Sequence, residues 1–303
     1  MIKIPPVKEE VIAKYLEEAK PIFKAFLKRI SGKALYRPLT NYLKRPGSIR
    51  YDENKIDALL VGDRSELQNV INGVNAQIGK TKYTNELLSK FSYTDSYRSL
   101  AENLDVTICP YCNRSFIFSL GRGKLVKPEY DHYFPRDFYS YLGISLFNFV
   151  PCCSLCNRSK SNKNPNTTNI IYPYEEEFGD QVFFDLKYSN LTDLVCRKHP
   201  VIVEIKSSVT PQPAWLLNSA DKVFKLDGLY KKHSEYVKDI IELTMVYSKK
   251  RLKSLFKEFS WLHRDGVESF KEVLYVNYAT KNKWHKKILS KLTYDIVNRF
   301  EEH

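Results

Sequence analysis

The residues whose types and spacing could do chemistry lie between Cys109 and Lys160. Two C-x-x-C pairs, Cys109-Pro110-Tyr111-Cys112 and Cys153-Ser154-Leu155-Cys156, stand with 40 residues between the inner cysteines. Two residues between thiolates let a tight turn aim both sulfurs at one tetrahedral Zn²⁺, and four sulfurs leave no open position for a substrate, so such a zinc is structural. Between the pairs come Asp131-His132 and a lone Asn148, and the second pair runs on into Asn157-Arg158-Ser159-Lys160. A carboxylate prefers a hard cation while a near-neutral imidazole accepts a proton from water, so neighbouring Asp and His at a strand end can hold metal and make hydroxide respectively.

Plainer readings exist for each residue. Six cysteines in 303 residues are too sparse for a disulfide scaffold, and no apolar leader precedes Met1-Ile2-Lys3. Cys152 competes with Cys153 as a ligand, but only Cys153 has the two-residue spacing to Cys156. Cys196 lies outside both pairs and reads as a small buried hydrophobe. An Asp-His dipeptide is common, Asn148 could cap a turn, Asn157 could end a helix, and Arg158 and Lys160 could be ordinary surface charges. Their order inside the cysteine frame favours a joint role.

In that order the residues resemble the HNH endonuclease superfamily, in its zinc-stapled form. Its ββα-metal motif has a strand ending in D-H, a loop, a strand opening with N, and a helix carrying a final N. The step from Asn148 to Asn157 is nine residues, and N-x-x-P-x-C-x-x-C-N is matched over 148–157. The resemblance covers roughly residues 105–165. It implies that Asp131 and Asn157 hold one catalytic Mg²⁺ or Mn²⁺, that His132 is the general base, and that Asn148 holds the imidazole in its productive orientation. It implies a structural Zn²⁺ on Cys109, Cys112, Cys153 and Cys156, and products with 5′-phosphate and 3′-hydroxyl ends. Lys160 and Arg158, within a turn of Asn157, are expected to meet nucleic-acid phosphates.

The elements that must position these groups are mostly helical. Apolar residues recur at helical spacing from Val7 to Leu27 and from Ser65 to Ile78, with a third helix beginning near Thr84 and Pro46-Gly47-Ser48 breaking the region in two. A strand is expected to reach Tyr130-Asp131, a helical or irregular loop to span Arg136 to Leu146, a short strand to hold Asn148 to Val150, and a helix to start near Cys153 and stop before Asn164-Pro165. Gly121-Arg122-Gly123 reads as a hairpin turn ahead of Leu125-Val126. Val182–Leu186 and Val201–Ile205 read as strands, followed by a long helix from Ser219 and further helices near Gly266–Tyr278 and Lys283–Phe300. The expected class is α+β, mainly α-helical, in three regions: 1–104 helical, 105–172 holding the nuclease motif and zinc site, and 173–303 suited to partner docking.

Composition is consistent with a polyanionic substrate. The formal net charge is +13, and residues 109–165 carry eight Lys or Arg against three acids, giving an attraction to phosphate that weakens with salt. No apolar run approaches a membrane span, so a soluble, cytoplasmic bacterial protein is expected. Lys249-Lys250-Arg251 reads as a solvated face, and His199, His233, His263, His285 and His303 lack ligand-like spacing, His233 reading as a core or interface residue.

The segment Val223 to His233 is similar to one that follows the motif in the PtuB-type HNH nucleases of Septu and of some retron anti-phage systems. That similarity implies an effector gated by a PtuA-like ATPase, with a retron reverse transcriptase and its DNA product as further companions; no Walker A loop occurs in this chain. Three functions follow: a metal-dependent DNA endonuclease, a non-catalytic zinc-stabilised nucleic-acid-binding scaffold, and an RNA (tRNA)-cleaving toxin nuclease.

Overall fold

Several helix starts in the first hundred residues are set by side chains that satisfy orphan backbone N–H groups. Asp63 and Glu66 form a reciprocal capping box, with Glu66 N donating to Asp63 Oδ1 at 2.9 Å and Asp63 N to Glu66 Oε2 at 3.0 Å. Thr81 and Thr84 do the same at 3.2 and 2.9 Å, and Asp52 accepts from Asn54 N. The computed structural model describes residues 1–119, 128–190, 201–261 and 266–301. They form a mainly helical α+β protein with two small antiparallel sheets, and fall into two compact units, Pro5–Val106 with Ile117–Thr168, and Met1–Ile4 with Thr107–Phe116 and Asn169–His303. The expected turn at Gly121-Arg122-Gly123, the run Leu125-Val126, and Cys196, His199, His263 and His303 lie outside the described residues.

In the first of these units α1 (Glu9–Ile30) buries Tyr15, Ala19, Phe23, Phe26, Leu27 and Ile30 along one face and runs through Pro21, giving up one backbone hydrogen bond. It is followed by α2 (Arg37–Leu43), α3 (Glu53–Val61), α4 (Arg64–Val74) and α5 (Lys82–Phe91). The second of the expected helices stops short of Ile78 because Asn75 turns left-handed (φ 47°). The third is capped earlier than Thr84, at Thr81.

The candidate chemistry sits on β1 (Glu129–His132) and β2 (Phe149–Cys152), paired antiparallel with Asp131 opposite Val150 and His132 opposite Phe149. Between them run α6 (Arg136–Tyr139) and two 3₁₀ turns, and after them α7 (Ser154–Lys160). Phe149 anchors the ribbon: its ring stacks on Phe91 of α5 at 6.3 Å and meets Tyr97 edge-on at 5.6 Å. The N-terminal helical region and the ββα segment are therefore one body, with the helices burying the back of the strands.

The other unit pairs β3 (Val182–Lys187) with β4 (Ile202–Ser207), Val182 opposite Ser207 and Lys187 opposite Ile202. The expected long helix from Ser219 is broken. A π-helical stretch, Leu217–Val223, ends where Lys225 adopts φ 54°, and the chain restarts as α8 (Leu226–Tyr230) and α9 (Ser234–Val246). A left-handed residue cannot sit inside a right-handed helix, and apolar periodicity alone does not register it. Then come α10 (Lys249–Glu258), α11 (Val267–Leu274) and α12 (Ser290–Glu301). The last two are shorter than their sequence pattern because Tyr275 turns extended and Leu289 is left-handed. Asp295 of α12 accepts from Phe184 N at 2.9 Å and binds Lys291, fixing the helix to β3. No helix among the described residues is long and apolar enough to cross a membrane.

Asn113 ties the Cys109–Cys112 turn to α12. It is fully buried; its amide donates to Trp284 O and Lys287 O, and its oxygen accepts from Ser290 Oγ and Lys291 N. Every polar site of the side chain is used, at φ 51° where Asn is favoured. Asn113→Ala is expected to destabilise the protein by roughly 3 kcal/mol, since it strands a buried N–H and strains the left-handed backbone; a urea unfolding midpoint unchanged from wild type would contradict this.

Candidate active site

A cleft of about 280 Å³ opens at the end of β1, and Asp131, His132 and Asn157 line it together with Tyr130, Lys80 and Arg136. Three residues scattered over 26 positions of sequence are thus brought to one solvent-accessible hollow.

His132 is positioned by its strand partner and by one carbonyl. Its ring packs on Phe149, centroids 4.8 Å apart, and Nε2 lies 3.1 Å from Gly143 O. A carbonyl accepts only, so Nε2 carries the hydrogen and the lone pair is on Nδ1. Burial, with the Arg136 charge beside it, pushes the imidazole pKa down to about 3, which keeps the ring neutral with the Nδ1 lone pair unprotonated.

Asn148 does not touch the imidazole, contrary to the expected role. Fully buried, it accepts from Phe134 N at 2.7 Å and donates to Phe134 O and Leu142 O at 3.2 and 3.0 Å. It closes the loop between the strands, and Gly143, next to Leu142, presents the carbonyl that holds His132. The Asn148 bonds all go to the backbone of that loop.

Lys160 is also differently placed. It was expected to face phosphates but is fully buried, and its ammonium donates to Asp131 Oδ1 at 2.9 Å and to His132 O at 2.8 Å. Asp131 itself is 3% exposed. Period-two alternation on β1 turns Asp131 toward α7 and His132 toward β2's Phe149, and the lysine one turn beyond Asn157 reaches back to the carboxylate. Arg158 is exposed on α7, where a phosphate contact requires it.

Asn157 donates through Nδ2 to Glu129 Oε2 at 2.7 Å. A carboxylate can only accept, which fixes the amide orientation and turns the oxygen away from Glu129. Glu129, Lys80 and Arg136 are site residues the sequence did not single out. Lys80 arrives because Ile78 pairs with the loop: Ile78 N donates to Phe138 O and Ser140 N to Ile78 O, both at 2.9 Å. Lys80 then bonds Asp137 at 2.7 Å and holds its carboxyl below the ordinary range. No sequence signal marks Lys80, whereas Arg136 stands four residues after His132 and is within reach of motif reasoning.

The four cysteines cluster. The sulfurs of Cys109, Cys112, Cys153 and Cys156 all lie within 4.8 Å of one another; a tetrahedral zinc with Zn–S of about 2.3 Å needs them about 3.8 Å apart, a short inward adjustment. Asn113 N donating to Cys109 O at 2.8 Å closes the first turn, and the second pair straddles the start of α7, with Cys153 as its cap residue. The set is soft and closed, fitting a structural zinc. Cys152 is not in the cluster; burial pushes its thiol well above the ordinary value, so it stays protonated on β2. Outside the cluster, His233 is half-buried and accepts from Arg114 Nε at 2.8 Å.

No family model, curated protein or solved structure matches this chain.

Purified protein is expected to hold about one zinc per chain, which Cys153→Ser loses and Cys152→Ser keeps, read by elemental analysis. For His132 the folded pKa lies below the unfolded value of about 6.5, so the unfolded chain takes up the proton first: its contribution to stability is intact above that pH and is lost as pH falls toward 3. In the metal-free protein its ring signals are expected not to titrate between about pH 7 and 5 in NMR; a midpoint near 6.5 would refute the lowered proton affinity.

Proposed function

We propose that this chain is a metal-dependent endonuclease of the zinc-stapled HNH type that hydrolyses DNA phosphodiester bonds. The observation that carries the reading is one cleft lined by Asp131, His132 and Asn157 with a neutral imidazole whose Nδ1 is the basic atom. His132 takes the proton of the attacking water at Nδ1, and the Nε2–H bond to Gly143 O holds the ring for that transfer and stabilises the imidazolium that forms. Asn148 maintains the loop that carries this carbonyl.

Asp131 and the amide oxygen of Asn157 are hard donors suited to Mg²⁺ or Mn²⁺. When bound there, such an ion supplies Lewis-acid polarisation of the phosphate. The donor set fits: Glu129 orients the Asn157 amide, and the Lys160 ammonium on Oδ1 holds the buried Asp131 carboxylate in place. Lys80, Arg136 and Arg158 provide positive charge around the cleft for a polyanion.

The similarity to PtuB-type nucleases extends the reading to an effector of anti-phage defence gated by a PtuA-like ATPase, with a retron reverse transcriptase and its DNA product as further companions. A nuclease that cuts without reading sequence requires such gating to spare its host. Co-purification of the native operon's products tests this part.

Supercoiled plasmid, single-stranded DNA and tRNA, each with Mg²⁺ or EDTA, test the chemistry. DNA cleavage that needs Mg²⁺ is expected, and His132→Ala should lower its rate by roughly 10²–10⁴-fold with zinc content and circular dichroism unchanged. Cleavage that survives EDTA, or a fully active His132→Ala, would overturn the mechanism.

A further inference from the structure

We propose that a second cleft in the same unit, at the hairpin joining α2 to α3, is an anchor site for a single nucleic-acid strand. The proposal rests on the endonuclease reading for its purpose but not for its evidence.

The hairpin is built by a tight turn. Ser48 N donates to Arg45 O at 3.1 Å across Pro46-Gly47, and Gly47 has φ 67°, the pattern in which proline and then glycine fill the two central turn positions. Lys44 and Tyr51 form an antiparallel bridge, and Arg45 N donates to Arg50 O at 3.0 Å. Arg45 and Arg50 are therefore directly opposite, with their side chains on one face of the ribbon. Like charges in that relation are destabilising.

On α1, Lys24 and Lys28 repeat the pattern one helical turn apart, also an unfavourable pairing. These four cations, with Tyr51 and Glu53, line one cleft of about 390 Å³. Glu53 bonds Lys24 at 2.7 Å and Lys20 at 3.1 Å, so a single carboxylate faces four cations. Among the described residues, Lys28, Arg45 and Arg50 have no acidic partner. A fold selected for stability alone would separate or pair these charges; gathered in a concavity they focus a positive field on whatever enters.

The ligand chemistry follows from the residue types. Two guanidinium forks and two ammonium groups match phosphate oxygens. The half-buried Tyr51 adds an aromatic surface of the kind on which bases stack, and the volume suits a nucleotide unit rather than a bare anion. Repeated phosphates beside an aromatic ring describe a single strand. None of these residues lines the His132 cleft, so the chain would hold its substrate at two places, one for retention and one for cutting.

The test compares the full-length protein with Lys28→Gln/Arg45→Gln/Arg50→Gln and with a control of equal charge loss, Lys249→Gln/Lys250→Gln/Arg251→Gln on the exposed start of α10. Binding of a fluorescein-labelled oligothymidylate is measured by anisotropy in EDTA over a range of salt. With about 0.7 ions released per phosphate contact on a single strand, the cleft variant is expected to lose about two units of log–log salt slope and at least about tenfold in affinity, and the control less than about threefold. A cleft variant within threefold of wild type, or a control that falls as far, would sink the proposal. Melting temperature should be unchanged or higher in the cleft variant, because repulsion is removed. Hydrolysis of bis(p-nitrophenyl) phosphate with Mn²⁺, a substrate too small to need an anchor, should be unaffected by the cleft substitutions and abolished by His132→Ala. If wild type lacks that hydrolysis the catalytic reading fails, while the binding data still decide the anchor.

Discussion

The buried ion pair between Lys160 and Asp131 is the constraint on which the candidate site depends. Both groups are almost wholly removed from water, and the ammonium also bonds the His132 carbonyl. Desolvating two charges is expensive, and such a pair survives only when its geometry is good and its remaining valences are filled. Replacing it by apolar groups could leave the fold as stable. What apolar groups could not do is direct α7 onto β1 through a hydrogen bond and present a carboxylate to the cleft. Asp131, His132 and Asn157 share a cleft where that lysine, with the Asn157–Glu129 bond, joins the helix to the strand.

A second layer of constraint is apolar. Phe149 packs against the His132 ring and against the Phe91 and Tyr97 rings, so the helices that precede the motif back the strand pair on which the imidazole sits. The loop between the strands is a third. Asn148 satisfies the backbone at Phe134 and Leu142, and Ile78 zips onto Tyr139 from outside the motif. Buried loop backbone must find partners, and here those partners aim the Gly143 carbonyl at Nε2 and bring Lys80 to the rim.

Local chemistry was readable where it depends on spacing. The choice of Cys153 over Cys152 follows from a two-residue gap and agrees with the sulfur cluster; that the helix after Cys153 stops before Asn164-Pro165 follows from the proline there. Roles that depend on which way a side chain turns were not readable. Lys160 reads as surface because lysine usually is, and only its reach across to Asp131 makes it core. The resemblance implied Asn148 as the partner of the histidine, yet its amide is consumed by loop backbone. The break at Lys225 is invisible because a left-handed residue leaves the apolar pattern intact.

The sequence by itself determined the residue types available for chemistry, the cysteine frame and the α+β class, because each of these is written in intervals along the chain that one turn or one strand must honour. The tertiary structure decided which nitrogen of His132 is basic, what Lys160 does, and that Arg45, Arg50, Lys24 and Lys28 meet in one cleft. These depend on burial and on contacts between segments tens of residues apart, and no local spacing encodes a desolvation energy or the direction of a side chain.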